Sequence, residues 1–312
     1  MLQGDVGSGK TLVALAAMLT VVEAGAQAAL LVPTEVLARQ HHASLSSLLR
    51  PLRMDVGLLL GQGRTSTASA NHGPLSYQNN APQSRKDTLA AMADGTISLV
   101  VGTHALLSET AIFKDLGLAV IDEQHRFGVR QRILFGEKGR DVDVMVMTAT
   151  PIPRSLAMTA YGDLDHSRLD EKPVGREPID TRAIAKDRVD EVVDRLRPAL
   201  HDGRRAYWIC RLVDESDKLD IAAAEDRFTH LVHALPGISV ALAHGKMKAA
   251  ERDAAMQEFR TGQAQLLVAT TVVEVGVDVP EASIIVIEHA ERFGLAQLHQ
   301  LRGRVGRSTT KS

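Results

Sequence analysis

Gly4, Gly9, Lys10 and Thr11 occupy the four fixed positions of G-x-x-x-x-G-K-S/T within GDVGSGKT. That spacing suits phosphate. Glycines let consecutive backbone N–H groups turn inward around anionic oxygens where side chains would block them. The run TLVALAAMLTVVEAG behind them has helical character, and a helix directs its N-terminal dipole at the same anion. Lys10 is then placed to neutralise β- and γ-phosphates, and the Thr11 hydroxyl to ligate Mg²⁺. A Gly-rich turn ahead of an ordinary amphipathic helix is the plainer alternative. All four fixed positions with a helix behind them favour a nucleotide-binding loop.

A second chemical pair, Asp122-Glu123, ends the apolar run LAVI. An acid at a strand end can hold Mg²⁺ from the side opposite the loop, and an adjacent Glu can orient an attacking water. Alone the pair could be a solvated strand end; its weight comes from the phosphate loop. Thr148-Ala149-Thr150 closes another apolar run, and by itself reads as a polar turn. Near the other end stand TTVVEVGVDVP, Thr270 to Pro280, and QLRGRVGR, Gln300 to Arg307. Arg304 and Arg307 are three apart on what reads as a helix, so they share a face. They are either a basic surface or arginine fingers for a transferring phosphoryl group.

Elements that could position these residues follow a strand–helix alternation. Apolar runs at AALLVP, MDVGLLL, TISLVVGTH, LGLAVIDEQH and VDVMVMT read as buried parallel strands. PTEVLARQHHASLSSLL reads as a helix capped by Thr34, with Leu37, Leu45, Leu48 and Leu49 on its apolar face. KDTLAAMADG reads as another, stopped by Gly95. The polar segment Gly61–Arg85 is too poor in apolar residues to offset its ordering entropy, and reads as a surface loop. Charges with Pro173, Gly175 and Pro178 mark residues 162–182 as a linker between domains at 1–161 and 183–312. Beyond it come a strand at Ile179–Ala185, a helix, RAYWIC, a long helix to about Leu235, ISVALAH, KAAERDAAMQEFRTG, QLLVAT, SIIVIEHA and LAQLHQLRGR. The fold class is α/β with two mainly parallel sheets flanked by helices, and every polar motif falls at a strand's carboxyl end.

Composition narrows the class. Hydrophobic content is 45% and aromatic content 3%, so 312 residues can build two aliphatic cores. Lys+Arg 36 against Asp+Glu 38 gives a net charge of −2, so any nucleic-acid grip must come from a few local contacts. The single cysteine, Cys210, excludes an internal disulfide framework and fits a reducing compartment. No apolar run reaches the roughly 20 residues of a membrane span and no signal peptide is evident, so a cytoplasmic protein is expected. His41-His42 are helix neighbours rather than i, i+4, and no Cys/His cluster has zinc spacing.

GDVGSGKT, PTEVLARQH, GTHALL, DEQHRFG, TATPIPR, HGKM, TTVVEVGVDVP and QLHQLRGRVGR together resemble, in order, the motif set of the superfamily 2 helicases. DEQHRFGVRQR, TATPIPRSLAMTAYGDLD and AERFGLAQLHQLRGRVGR resemble the RecG branch of that superfamily, bacterial translocases of replication forks. The resemblance covers nearly the whole chain. It implies two RecA-like domains, ATP contacts from Gly4, Gly7, Ser8, Gly9, Lys10 and Thr11, Mg²⁺ on Thr11 and Asp122, and Glu123 as catalytic base. It implies that Gln124 and His125 couple hydrolysis to DNA. Gly276 and Asp278 would approach the nucleotide from the second domain, Arg304 and Arg307 would be the fingers, and Gln300 would bridge the domains. Pro33, Thr34, Arg39, Thr103, His104 and Thr271 would touch DNA backbone, with little sequence preference. Branched DNA is the implied partner, a monomer the implied state, and recombination and repair the implied process.

Departures accompany the resemblance. Only Met1, Leu2 and Gln3 precede the loop, so we expect a chain cut from a longer protein, with a weakened sheet edge and exposed apolar surface there. The branch's N-terminal wedge domain and the region after the last motif are expected in the parent. Arg211 stands where the family more often has proline. The rival readings are an inert nucleotide-binding fragment, a relative of the transcription-repair coupling or PriA type, and a relative acting on RNA.

Overall fold

The computed structural model describes residues 1–61, 84–122, 135–136, 138–139, 141–149, 164–171, 179–210, 217–270, 279 and 281–306. By packing, the chain divides into two compact units, Met1–Gly4 with Gly9–Asp170 and Asp5–Ser8 with Glu171–Ser312.

In the first unit the described elements are β1 (Leu2–Gly4), α1 (Lys10–Glu23), β2 (Gln27–Leu31), α2 (Glu35–Leu49), β3 (Val56–Leu59), α3 (Arg85–Asp94), β4 (Leu99–Gly102), β5 (Leu116–Ile121), β6 (Asp143–Thr148) and β7 (Ser167–Leu169). The strands form one parallel sheet in the order β3-β4-β2-β5-β6-β1-β7. Parallel strands covered on both faces must be apolar at successive positions rather than alternate ones. β2 shows it: Ala28 and Leu30 pack with α1 and α2 residues such as Met18 and Leu45, while Ala29 and Leu31 pack with Met92 of α3 and Phe135 on the other face. Thr34 caps α2, its Oγ1 accepting the Leu37 N–H at 3.4 Å, and Gly95 stops α3 at φ 83°. Leu48, expected on the buried face of α2, is 53% exposed.

Two expectations about the start of the chain fail. β1 is not left unpaired: it bonds in parallel to β6 on one side and β7 on the other, and Leu2 is 4% exposed. β7 comes from the stretch read as linker, because three strand residues need only backbone partners, which β1 supplies.

The second unit holds α4 (Val189–His201), β8 (Arg205–Cys210), α5 (Asp217–Ala234), β9 (Val240–Ala243), α6 (Ala249–Thr261), β10 (Leu266–Thr270), β11 (Ala282–Ile287) and α7 (Leu295–Arg302). Its parallel sheet has the order β11-β8-β10-β9. Ala206, Trp208 and Cys210 of β8 face α4 and α5, and Tyr207 and Ile209 face α6 and α7. The strand expected at Ile179–Ala185 is irregular chain; its side chains from Asp180 onward are exposed, so no core recruits it. α7 ends at Arg302, with Gly303 as its cap, so Arg304 lies past the helix rather than on it.

One buried amide ties the first unit together. Gln27 Nε2 donates to Met92 O at 3.0 Å and Ile97 O at 2.6 Å, and Oε1 accepts from Lys114 N at 2.8 Å and Asp115 N at 3.1 Å. Ile97, Lys114 and Asp115 belong to connections, and Met92 to the last turn of α3, where its carbonyl also accepts from Lys114 N at 3.2 Å. Gln27→Leu keeps the volume and removes the side-chain partner from all four groups, leaving only the Lys114 N–Met92 O bond among them, so we expect a loss of about 2–4 kcal/mol in denaturant unfolding. An unchanged midpoint would show that water satisfies those groups.

Candidate functional site

The phosphate loop joins β1 to α1, and its backbone is set by glycine. Gly7 and Gly9 sit at φ 81° and 91°, a region that costs other residues about 1 kcal/mol or more. A Cβ on Gly9 would meet nothing within 4 Å, so conformation, not space, requires glycine there. α1 starts with no side-chain cap and no acid in its first turn, which leaves its N–H groups and dipole facing the loop. Lys10 Nζ donates to Gly4 O at 2.8 Å, which holds the ammonium across the loop. Ser8 Oγ is buried without a hydrogen-bond partner. A helix N-terminus with open N–H groups and one ammonium matches a phosphate chain. Thr11 is half-buried in the first turn of α1.

The sheet order sets the spacing of the rest. β6 lies between β1 and β5, and its terminal Thr148 is buried beside the loop strand, paired with Gln3. Asp122 leaves β5 with its N–H on Leu31 O at 2.9 Å. Two strand spacings, about 10 Å, therefore separate the β1 and β5 exits. On the other side of β5 come the ends of β2, with Pro33 and Thr34, and of β4, with Thr103 and His104. Gly102 makes the β4 exit possible: a Cβ there would lie 2.5 Å from Leu59 O. Thr103 is 2% exposed, with Oγ1 buried and without a partner, so His104 is the side chain presented at this exit. Arg39 is half-buried on α2. Among the described candidates of the first unit, those for the nucleotide thus fall around the ends of β1 and β5, and those for DNA after β2, on α2 and after β4.

Glu123, Gln124, His125, Thr150, Thr271, Gly276, Asp278 and Arg307 lie outside the described residues. In the second unit Thr270 is buried at the end of β10, Gln300 lies on α7, and Arg304 is half-buried in the turn after it. Two arrangements carried no sequence signal. His41 Nε2 lies 3.4 Å from Asp122 Oδ2. Glu288, after β11, accepts from Trp208 Nε1 at 2.5 Å and pairs with Arg227, whose guanidinium lies over the Trp208 ring at 5.7 Å. Burial, then the Glu288 charge, pushes the Cys210 thiol up to about 12, so it is no nucleophile at neutral pH.

Residues 1–159 match the DEAD/DEAH box helicase model, and residues 187–309 the helicase conserved C-terminal domain. The chain is 50% identical to the ATP-dependent DNA helicase RecG of Acidithiobacillus ferridurans, over 100% of this chain and 43% of that protein. It is 48% identical to RecG of Bacillus subtilis, with the same coverage of 100% and 43%. A solved structure of RecG bound to a three-way DNA junction matches with a TM-score of 0.72 at 42% identity, over 98% of this chain and 38% of that one. The chain therefore spans less than half the length of these relatives. Among the described residues, no helix is long and apolar enough to cross a membrane. With its two halves matched in order by the two helicase models, the chain belongs to the DEAD/DEAH box helicase family.

Proposed function

We propose that the chain is the ATP-driven motor of a RecG-type DNA translocase, acting on branched DNA such as stalled forks and Holliday junctions in recombination and repair. The observation that carries this reading is identity at about half of all positions along the whole chain to proteins named as ATP-dependent DNA helicases. The phosphate loop and Asp122 on one sheet edge support it. The motor works as a monomer, and the elements that grip the branch point belong to the part of the relatives that this chain does not span.

Gly4, Gly7, Ser8, Gly9, Lys10 and Thr11 hold the ATP phosphates. Mg²⁺ fits through Thr11 and Asp122. It commonly binds one or two protein oxygens and takes the rest from phosphate and water. Among the described residues no three His, Cys, Asp or Glu side chains gather as an all-protein cage. The ion, when bound, neutralises charge on the phosphates. Glu123 takes the proton of the attacking water, and Gln124 tells that step whether DNA is present. Gly276 and Asp278 contribute to the nucleotide, and Arg304 and Arg307 meet charge that develops on the transferring group. Pro33, Thr34, Arg39, Thr103, His104 and Thr271 contact DNA phosphates, a grip that weakens as salt rises.

ATP hydrolysis by the purified chain, titrated with fork, duplex and single-stranded DNA and with RNA, tests the assignment. Stimulation by branched or duplex DNA above RNA is expected; equal stimulation by RNA would move the substrate to the other nucleic acid. Lys10→Ala should weaken binding of a fluorescent ATP analogue at least about tenfold, as a charge-assisted phosphate contact is lost. Glu123→Gln should keep that binding and slow turnover by about a hundredfold or more. Arg304→Ala should cut kcat far more than ATP affinity, since its charge acts on the transition state. An Arg304→Ala chain that lost affinity alone, with kcat intact, would make it a binding residue.

A further inference from the structure

We propose that His41 is a positioning residue for the Asp122 carboxylate, and that through it α2 transmits the state of the DNA-contacting edge to the metal-binding acid. This rests on the ATP-driven reading above and deepens it. Ala38, His41 and Leu45 fall at i, i+3 and i+7, one stripe of α2. Ala38 and Leu45 are both 0% exposed, so the stripe faces the core, and His41 is its polar member. Its ring is not out in solvent: the side chains of His41 and Asp122 are each 15% exposed, with Nε2 3.4 Å from Oδ2. A core-facing imidazole against a carboxylate is the arrangement that fixes the orientation of metal-ligating groups elsewhere.

The neighbouring histidine shows that the pairing is specific to its position. His42 turns the other way, its Nε2 2.9 Å from Val56 O on β3, and so pins α2 to the sheet. Burial holds its ring below the ordinary histidine range, which keeps it neutral. α2 is thereby anchored through His42, and its first turns carry Thr34 and Arg39, to which the DNA backbone is assigned. Approach of DNA to those turns acts on a helix whose next turn touches Asp122.

The test uses the whole chain, with His41→Ala and His41→Gln. Mg²⁺ is titrated against equilibrium binding of a fluorescent ATP analogue, a readout that needs no turnover. For His41→Ala the Mg²⁺ concentration at half effect should rise about tenfold, while nucleotide affinity without Mg²⁺ stays unchanged. His41→Gln, whose amide can reach the same oxygen, should recover most of that shift. In parallel, the ratio of DNA-stimulated to basal ATPase should fall at least about fivefold in His41→Ala, with DNA affinity unchanged. A Mg²⁺ midpoint equal to wild type in His41→Ala overturns the proposal. Equal losses in both variants together with a lowered Tm also overturn it, since they would mark His41 as packing alone. A wild-type chain that hydrolyses no ATP defeats the functional reading, and the Mg²⁺ titration then still decides His41.

Discussion

Parallel pairing is the constraint on which the first unit depends. When all strands run the same way, all their carboxyl ends reach one edge, and each exit lies about 5 Å from the next. Chemistry needs charged and hydroxylated groups beside one another, and an apolar sheet cannot hold them inside. The edge resolves the conflict. Ala28 to Val32 can be buried without interruption while Pro33 and Thr34 emerge, and Leu118 to Ile121 while Asp122 emerges. The register bonds do the alignment: Gln3 beside Thr148, Leu31 beside both Gly102 and Ile121.

The second unit follows the same rule with a different polar solution. Trp208 is wholly buried, and its N–H requires a partner. Glu288 supplies it, and Arg227 in turn compensates the carboxylate, both side chains being largely withdrawn from water at 20% and 15% exposure. Each member makes the next acceptable, and removal of one would strand the others. Cys210 sits against this group and stays a thiol. The network therefore belongs to the architecture of β8 and α5, and gives no sign of reactivity.

Much of this was legible in the sequence, for identifiable reasons. Buried strands announced themselves because successive positions in their middles are apolar, and Thr34 and Gly95 marked helix ends because caps need those residue types. The phosphate loop was legible because its backbone demands glycine at fixed places. What failed depended on partners distant in the chain. β1 offers two apolar residues at most and is a strand because β6 and β7 flank it. β7, Ser-Arg-Leu, has no strand pattern at all. Ile179–Ala185 has better strand composition, yet among the described residues no strand bonds to it. The meeting of His41 with Asp122 joins a helix to a strand end across three intervening strands or helices of sequence, and no local spacing encodes that.

On the proposed reading two polyanions compete for one edge, and the order of the strands separates them. Nucleotide and nucleic acid both present phosphate, so hydrogen-bond donors alone cannot sort them. Lys10 and the α1 N-terminus sit at β1, the far side of β6 from Asp122, whereas Arg39 on α2 and His104 just after β4 sit beyond it. Asp122 stands between the two groups as a negative charge. Without a divalent ion it repels either ligand; with one it attracts the phosphate chain that reaches it from β1. A chain of net charge −2 has no broad positive field to blur this boundary. On the proposed reading, the acid assigned to the metal ion thus also marks where one ligand's territory ends, and α2, which borders it, is where the other begins.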